Sequence, residues 1–235
     1  MKINYSEYSG AGGREINEDM LAVVCPQGRL LALAADGLGG LQNGHLASMS
    51  AVNVISDCLM HQAPDQEQLK EAILQANYAV LERQKTDGRM MTTIAALWMD
   101  DKKAFAAHVG DTRLYQFRQG KIIFQTEDHS MSQLAVRMGE ITQEEIRGHA
   151  ARNQIIRAVG GDQELSVQTQ ALDVRQGDAF LLCTDGFWEL VWEKEMLACL
   201  AAAECAEGWL HAMLKLLAQR LDEASDNYTA IAVMM

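Results

Sequence analysis

The chain has 235 residues, of which 49% are hydrophobic and only two are prolines. This is enough apolar residue to bury a substantial core, and we expect a single domain over 1–235, although the length also fits two small ones. Thirty-two acidic side chains against twenty basic ones give a net charge of −12. That balance argues against a nucleic-acid partner held by its phosphates on a basic surface. An acidic protein can still act on phosphate groups where bound cations reverse the local field.

The cysteines and the first seven residues indicate the cellular compartment of the protein. Five cysteines, an odd number with no Cys-x-x-Cys pair, predict a reducing compartment and mostly buried free thiols. Residues 1–7 contain no apolar signal core, and no run approaches the roughly 18 apolar residues of a membrane span. We therefore expect a cytoplasmic protein with no membrane partner, and a monomer by default. The five cysteines are Cys25, Cys58, Cys183, Cys199 and Cys205.

The first half of the chain predicts a hairpin, two helices and a run of strands. A glycine-rich entry at 9–13 precedes two apolar runs, 21–25 and 30–35, which flank the turn-forming residues 26–28. Helical spacing predicts two long helices, the second opened by Asp65 as its N-cap. Short turns then separate four strands, which favours antiparallel pairing. The helices are predicted over 43–60 and 65–85, and the strands over 92–99, 104–109, 114–118 and 121–125.

The second half mixes short helices with further strands. Residues 131–148 predict two short helices, the second opened by Thr142 and Glu145 in a capping-box pattern. Because helices and strands come in blocks, the pattern predicts an α+β fold in which helices pack on antiparallel sheets. The remaining strands are predicted near 154–159, 165–171, 179–184 and 228–234, and the remaining helices near 193–202 and 207–223.

Four aspartates fall at the ends of predicted strands: Asp36, Asp111, Asp185 and Asp226. If those strands are neighbours, their ends meet at one rim, and the gathered carboxylates repel one another unless cations bind. Oxygen ligands suit Mg²⁺ or Mn²⁺, and there is no Cys/His pattern typical of zinc. Each aspartate is also an ordinary turn residue beside Gly or Asn. The pattern alone therefore leaves a metal site and a set of turns as alternatives.

The segment from Arg14 to Asp19 adds further charged groups directly before a strand. Glu18 and Asp19 contribute carboxylates, and Arg14 contributes a planar guanidinium that can donate two parallel hydrogen bonds to phosphate. By itself, this segment is typical of a solvated turn.

Taken together and in chain order, seven short motifs resemble the metal-dependent protein phosphatases, the type 2C serine/threonine phosphatases. The resemblance spans nearly the whole chain, and its size is similar to a bare bacterial catalytic domain. It implies an αββα four-layer sandwich with a metal centre at the rim of the sheets. Residues 152–161 also resemble the stretch after the flap of bacterial members. The motifs are Arg14-x-x-Asn17-Glu18-Asp19, Asp36-Gly37-Leu38-Gly39-Gly40, Thr92-Thr93, Gly110-Asp111-Thr112-Arg113, Asp128-His129-Ser130, Thr184-Asp185-Gly186 and Asp226-Asn227-x-Thr229.

The resemblance also implies ligand roles for two Mn²⁺ or Mg²⁺ ions and a possible third. Asp36 would bridge the first two ions. Asp185 and Asp226 would hold the first, whereas the Gly37 carbonyl and, through water, Glu18 would hold the second. Asp111 would support a third ion together with Asp185.

The implied reaction is direct hydrolysis of phosphoserine or phosphothreonine on proteins. A hydroxide that bridges the metals would attack phosphorus in line, Arg14 would bind the phosphate, and Asp19 would order metal-bound water. The expected partners are phosphorylated proteins and a serine/threonine kinase that the enzyme opposes.

Three positions depart from the family pattern. Leu38 stands where some members have a histidine proposed as general acid, Met91 replaces the usual glycine, and Thr112 replaces the commoner serine. His129 belongs to a family motif, and we expect it to be a buried histidine that bonds its own loop.

Two other functions compete with an active protein phosphatase. One is a catalytically inactive docking module of the same fold, although such modules usually lose ligands that are intact here, namely Asp36, Asp185 and Asp226. The other is a metal-dependent phosphohydrolase of small molecules. The sequence discriminates poorly against the second alternative, since substrate choice depends on the surface and on the flap near 131–150.

Overall fold

The structure, a computed structural model, describes residues 3–26, 28–38 and 43–235. This part of the chain contains ten strands, six α-helices and one 3-10 helix, Glu144–Gly148. The strands are β1 (Asn4–Gly10), β2 (Met20–Val24), β3 (Leu30–Ala35), β4 (Ile94–Met99), β5 (Ala104–Val109), β6 (Arg113–Arg118), β7 (Lys121–Gln125), β8 (Gln168–Leu172), β9 (Ala179–Cys183) and β10 (Tyr228–Met234). The helices are α1 (Gly44–Leu59), α2 (Gln66–Asp87), α3 (Met131–Met138), α4 (Asp185–Trp188), α5 (Glu193–Ala202) and α6 (Ala206–Ala218).

The strands form two antiparallel sheets whose inner faces share a core. The first sheet has the order β1-β10-β9-β6-β7 and the second has the order β2-β3-β4-β5-β8. Leu97 of the second sheet and Ile231 of the first belong to the core between them. Helices α1 and α2 cover the outer face of the second sheet, and α4, α5 and α6 cover the outer face of the first. The layers are therefore helix, sheet, sheet and helix, which confirms the predicted αββα sandwich.

The central strands are buried on both faces. Every residue of β3 and β4 is buried, and strands covered on both sides have continuous apolar runs instead of alternating ones. The predicted hairpin is confirmed, with β2 and β3 paired in register from Met20–Ala35 to Val24–Leu31. Gln27, in the predicted turn of that hairpin, lies outside the described residues.

One helix signal is confirmed and one is corrected: the second short element, expected to open at Thr142, is the 3-10 helix, whose N-cap is Gln143 without a side-chain cap. Asp65 caps α2 by accepting the backbone N–H of Gln68 at 3.0 Å. In the capping-box pattern near 142, the backbone N–H of Thr142 donates to the Glu145 carboxylate at 2.7 Å. Among the described helices, none is long and apolar enough to cross a lipid bilayer.

Several predicted elements are corrected. The edge strand β1 was not predicted, because it is largely polar and exposed and has no apolar run. The strand expected near 154–159 does not form a ladder; only isolated bridges join Ile155 to Ser130 and Val159 to Thr92. The strand expected at 165–171 is 168–172, and the helix expected to reach residue 223 ends at Ala218.

The cysteines are mostly not buried, contrary to the prediction. All five are free thiols, but only Cys183, in the central strand β9, is fully buried. Cys25 is exposed, and the other three are half-buried. Cys25 directly follows β2, Cys58 and Cys199 lie in α1 and α5, and Cys205 is the N-cap of α6, so none of these four lies inside a buried central strand.

A buried ion pair lies beneath the rim of the sheets. The Nε and Nη2 atoms of Arg113 donate to the two carboxylate oxygens of Asp128 at 2.8 and 2.7 Å. Both side chains are 2% exposed or less. The guanidinium of Arg113 also lies 3.5 Å from the centre of the Trp188 ring. Removing one member of such a pair leaves an uncompensated buried charge.

We predict that Asp128→Ala lowers the free energy of unfolding by about 3–5 kcal/mol, because the guanidinium of Arg113 then stays buried with only the more distant Glu193 carboxylate, at 3.6 Å, as a charged partner. Urea unfolding followed by circular dichroism measures this. The matched control is Glu82→Ala, which breaks an exposed pair with Lys85 and should cause no measurable change. Equal, small effects of both substitutions would contradict the structural role of the pair.

Candidate metal centre

The four aspartates at predicted strand ends line one cleft of about 880 Å³. Asp36 directly follows β3, Asp111 comes two residues after β5, and Asp185 begins α4 just after β9. Asp226 precedes β10 by two residues. Strands β3, β9 and β10 contribute to the core between the two sheets, so their ends meet at the same rim. The other predicted residues Arg14, Glu18 and Gly37 line the same cleft.

Gly37 stands where no side chain would fit. A Cβ atom at this position would lie 2.4 Å from the Gly44 carbonyl oxygen and 2.6 Å from the Glu18 carbonyl oxygen. The Gly37 N–H donates to that Glu18 oxygen at 3.1 Å. The turn after β3 is thereby held against the segment that leads into β2. Gly39 and Gly40, which continue the motif in the sequence, lie outside the described residues.

Asn227 holds the N-terminal segment beside Asp226. Its buried side-chain oxygen accepts the N–H of Glu18 at 2.8 Å, and its amide nitrogen donates to the carbonyls of Ala11 and Ile16 at 2.9 and 3.0 Å. The glycine-rich entry permits this approach, because a Cβ on Gly12 would lie 2.2 Å from the Asp226 carbonyl oxygen. The motifs at the two ends of the chain thus form one unit.

Asp19 is buried just behind the cleft and does not line it. Its Oδ2 accepts the hydroxyl of Thr184 at 2.8 Å, and the same hydroxyl oxygen accepts the N–H of Thr229 at 2.9 Å. Its Oδ1 has no hydrogen-bond partner among the described residues. One carboxylate oxygen of Asp19 is therefore fixed and the other is available.

Hydroxyl groups link the Asp36 turn to the Asp111 loop. Thr93 accepts the N–H of Asp36 at 2.9 Å and shares a hydrogen bond of 2.6 Å with the hydroxyl of Thr112. Thr92 donates its hydroxyl to the carbonyl of Asp36 at 2.8 Å. Threonine at position 112 keeps the hydroxyl that serine would provide, so this departure from the family pattern preserves the link.

His129 holds the other end of the Asp111 loop. Its N–H donates to the carbonyl of Gly110 at 2.9 Å, and its Nδ1 accepts the N–H of Gly110 at 3.1 Å. The ring is buried and stacks on His108 with centroids 4.6 Å apart. Burial lowers the pKa of His129 to about 3, which keeps Nδ1 an acceptor. The expectation of a buried histidine that bonds its own loop agrees with this geometry.

Burial and mutual repulsion disfavour ionised carboxylates in the metal-free cleft. Burial, followed by the charge of Asp185, raises the pKa values of both Asp36 and Asp111 well above their usual range. Burial also raises the pKa values of Asp19 and Asp185 to about 7, with the neighbouring acidic groups adding to the shift. Bound cations would reverse this, since an opposite charge favours the ionised form.

Two orphaned atoms support cation binding. Within the described residues, the buried Oδ1 atoms of Asp19 and Asp111 lack hydrogen-bond partners, and a buried acceptor without a partner is rare. No three His, Cys, Asp or Glu side chains in that part of the chain form a group that could hold a metal ion as they stand. Mg²⁺-type sites tolerate this, because the ion keeps several waters and takes few carboxylates. The donor set fits hard divalent cations that retain water.

Arg14 contributes a positively charged side chain to the cleft. Its Nη2 donates to Asp226 Oδ2 at 3.0 Å, and both side chains are about half exposed, at 55% and 46%. An exposed pair of this kind is weak, so the guanidinium can leave Asp226 when a cation or a phosphate competes.

The remaining walls of the cleft are formed by residues that the sequence analysis did not place there. Asn153, Gln154 and Ile155 form one wall, and Ile16, Leu38 and Met91 contribute apolar surface elsewhere. Leu38 and Met91 are joined by a backbone hydrogen bond of 3.0 Å, which places both departures from the family pattern in the cleft. Ile16 and the residues from Asn153 to Ile155 have no sequence signal that could have placed them in the cleft, because their proximity is set by tertiary structure.

Comparison with known proteins gives consistent matches. A family model described as protein phosphatase 2C matches residues 10–225. The serine/threonine phosphatase stp of Listeria monocytogenes is 31% identical over 175 residues, which are 71% of this chain and 69% of that protein. The structure of the serine/threonine phosphatase Stp1 from Staphylococcus aureus superposes with a TM-score of 0.90 and 26% identity, and covers 100% of this chain and 96% of that one.

A third solved structure contains metal. It is the catalytic domain of the serine/threonine protein phosphatase PstP in complex with two manganese ions, and it has a TM-score of 0.84 and 26% identity. The match covers 99% of both chains.

We predict that the metal-free protein loses stability as the pH rises from about 4 to about 7. Asp19 and Asp185 have folded-state pKa values raised from 3.8 to about 7, so the folded state binds more protons than the unfolded state in that window. The free energy of unfolding in chelator should fall by at least about 2 kcal/mol. Urea unfolding at several pH values measures it. With saturating Mn²⁺ the decline should disappear, and a metal-free stability that instead rises with pH would contradict the charge balance described.

Proposed function

The chain belongs to the protein phosphatase 2C family, and we propose that it catalyses metal-dependent hydrolysis of phosphoserine and phosphothreonine on proteins. The observation that carries the proposal is the cleft, in which carboxylates from both sheets surround a space open to solvent and a half-exposed arginine. Serine/threonine phosphatase is also the name of relatives that match over most of this chain.

In this proposal, the cofactors are two Mn²⁺ or Mg²⁺ ions, with a third as a further possibility of the same site. Asp36 would contribute to both of the first two ions. Asp185 and Asp226 would hold the first, and the Gly37 carbonyl with Glu18, through water, would hold the second. Asp111 and Asp185 would support the third. The partnerless Oδ1 of Asp111 is what supports the last assignment.

The chain's own residues would then bind and orient the reactants. Bound cations lower the pKa of water and neutralise charge on the phosphoryl oxygens. Arg14 leaves Asp226 and donates two parallel N–H bonds to the phosphoryl group. Asp19, held at one oxygen by Thr184, would order cation-bound water with the other.

The water attacks phosphorus opposite the seryl or threonyl oxygen, and the bond between phosphorus and that oxygen breaks. Inorganic phosphate and the free hydroxyl result. Leu38 offers no proton to the leaving oxygen, so in this proposal a second water donates that proton and regains one from the attacking water. No cysteine takes part, because none of the five lies among the residues that line the cleft.

The proposal also covers the domain organisation, oligomeric state, cellular location and partners of the protein. The chain acts as a single catalytic domain over 1–235, as a monomer in the cytoplasm, and opposes a serine/threonine kinase of the same cell. Its net charge of −12 supports phosphoproteins over nucleic acid as partners, since binding to a nucleic-acid backbone depends on Lys and Arg that neutralise its phosphates.

We predict that Asp36→Asn reduces Mn²⁺-dependent release of phosphate from a phosphothreonine peptide by about 1,000-fold or more, because cation stabilisation is worth several kcal/mol. The variant should remain folded, since it removes one of several mutually repelling carboxylates. The matched control is Asp57→Asn, the same change on the exposed side of α1, which should keep full turnover. The assay uses chelator-treated protein with Mn²⁺, Mg²⁺, Ca²⁺ or no metal added back.

Two outcomes would contradict the proposal. No turnover from folded protein with any metal would favour a docking module, and faster turnover of nucleotides than of the peptide would favour a phosphohydrolase of small molecules.

We predict that Arg14→Ala lowers kcat/KM for the phosphopeptide about 10- to 100-fold, as expected for the loss of charge-assisted hydrogen bonds. Arg14→Lys should recover only part of the loss, because an ammonium lacks the planar fork. Arg175→Ala is the control, since Arg175 is exposed and lies at the opposite end of β9 from Asp185. Full activity of Arg14→Ala would exclude the phosphate-binding role.

A further inference from the structure

Residues 154–157 form a segment that is hydrogen-bonded along one side. The N–H of Ile156 donates to the carbonyl of His129, and the N–H of Met131 donates to the carbonyl of Gln154, both at 2.9 Å. These two bonds flank the antiparallel bridge between Ser130 and Ile155. In such a pair, the N–H and C=O of the bridged residues point away from each other's strand. The backbone groups of Ile155 are therefore directed away from residues 129–131.

The free side of the segment has no partner in the described chain. Neither the N–H nor the C=O of Ile155 makes a hydrogen bond there, and the same holds for the side chains of Asn153 and Gln154. Ile155 is half-buried, whereas Asn153 and Gln154 are exposed. Unpaired backbone N–H and C=O groups along an extended segment can pair with another chain. We call residues 153–155, with these unpaired groups, the open edge.

The open edge faces the cleft. Asn153, Gln154 and Ile155 all line it, and residues 129–131, on the bonded side, do not. Arg14, Glu15 and Ile16 also line it, and Ile16 is 58% exposed. The cleft volume of about 880 Å³ far exceeds what a phosphoryl group and its cations fill, given roughly 30 Å³ per water-sized group. The space left is suited to residues that flank the phosphorylated one.

We propose that the open edge binds the extended main chain of the phosphoprotein substrate as an added strand. The Ile155 N–H and C=O would pair with one substrate residue, and the amides of Asn153 and Gln154 would pair with the next main-chain groups. The phosphorylated side chain would then point to the carboxylate rim. This inference rests on the proposed function and names how its substrate is held.

Two properties follow from recognition through the main chain. Affinity comes from backbone hydrogen bonds and depends little on the flanking sequence. The bonds alternate along the substrate, because successive residues of a strand point their backbone groups to opposite sides. A small phosphate ester has no main chain and gains nothing from the open edge.

The test is an N-methyl scan of a phosphothreonine peptide with the wild-type protein and Mn²⁺. One backbone amide at a time, from three residues before to three residues after phosphothreonine, is methylated, and kcat/KM is measured. We expect losses of roughly 2- to 10-fold at alternating positions, the size of one net hydrogen bond. Replacing the same amides by esters, which removes the N–H without adding a methyl group, should reproduce the losses.

A matched pair of variants tests the protein side. Ile155→Pro removes an N–H that no described residue uses, whereas Ile155→Ala keeps it and removes most of the side chain. The ratio of kcat/KM for the peptide to kcat/KM for p-nitrophenyl phosphate should fall more in Ile155→Pro than in Ile155→Ala. Melting temperatures establish that both variants are folded, and the substrate scan does not depend on either.

The outcomes separate this inference from the proposed function. If the unmodified peptide is not hydrolysed, the proposed function fails. If it is hydrolysed but no position responds, all positions respond equally, or the methyl groups act and the esters do not, the open edge does not pair with the substrate main chain and the inference is overturned.

Discussion

Asp36, Asp111 and Asp185 lie where burial and neighbouring negative charge disfavour the ionised carboxylate. A cation favours that same ionised form. Bound metal ions therefore stabilise the cluster, and the cluster is less stable without them. The sandwich holds the cluster together by burying the strands that lead to it, since every residue of β3 and β9 is buried. Apolar packing between the sheets therefore offsets the repulsion at their rim, and the aspartates cannot separate without disturbing the core.

The N-terminal segment closes the rim through backbone contacts more than through charge. Asn227 bonds three backbone groups of residues 11–18, and Gly12 passes so close to Asp226 that a Cβ would overlap its carbonyl oxygen. Strand β1 anchors the same segment by pairing with β10 from Asn4 to Gly10. Arg14 and Glu18 are thus positioned in the cleft by β1, which pairs with β10, the strand that follows Asp226. The two ends of the chain depend on each other for the geometry of the site.

Sequence patterns predicted the buried layers well and the edges poorly. Strands such as β3 and β10 and helices such as α2 have strong local signals, because apolar runs, spacing and the Asp65 cap all agree. The proximity of the four aspartates could be predicted only if the strands that carry them were assumed to be neighbours. The pattern left a metal site and a set of turns as alternatives, and the resemblance to a family favoured the metal site. Strand β1 was missed because its stability comes from pairing with β10. The walls formed by Asn153 to Ile155 and by Ile16 were missed because their proximity is set by tertiary structure.

Residues 154–159 do not form the predicted strand, and the physical reason bears on how the cleft recognises its substrate. The segment has the composition of a strand, yet it has bridges only at Ile155 and Val159, so local preference is satisfied without a full ladder. A chain with net charge −12 attracts a phosphate only where cations sit, whereas main-chain hydrogen bonds are insensitive to charge. Cations and Arg14 would then select the phosphoryl group, and the open edge would select a polypeptide. A small phosphate ester satisfies the first requirement alone, which is why the carboxylate rim by itself does not distinguish a protein phosphatase from a phosphohydrolase of small molecules.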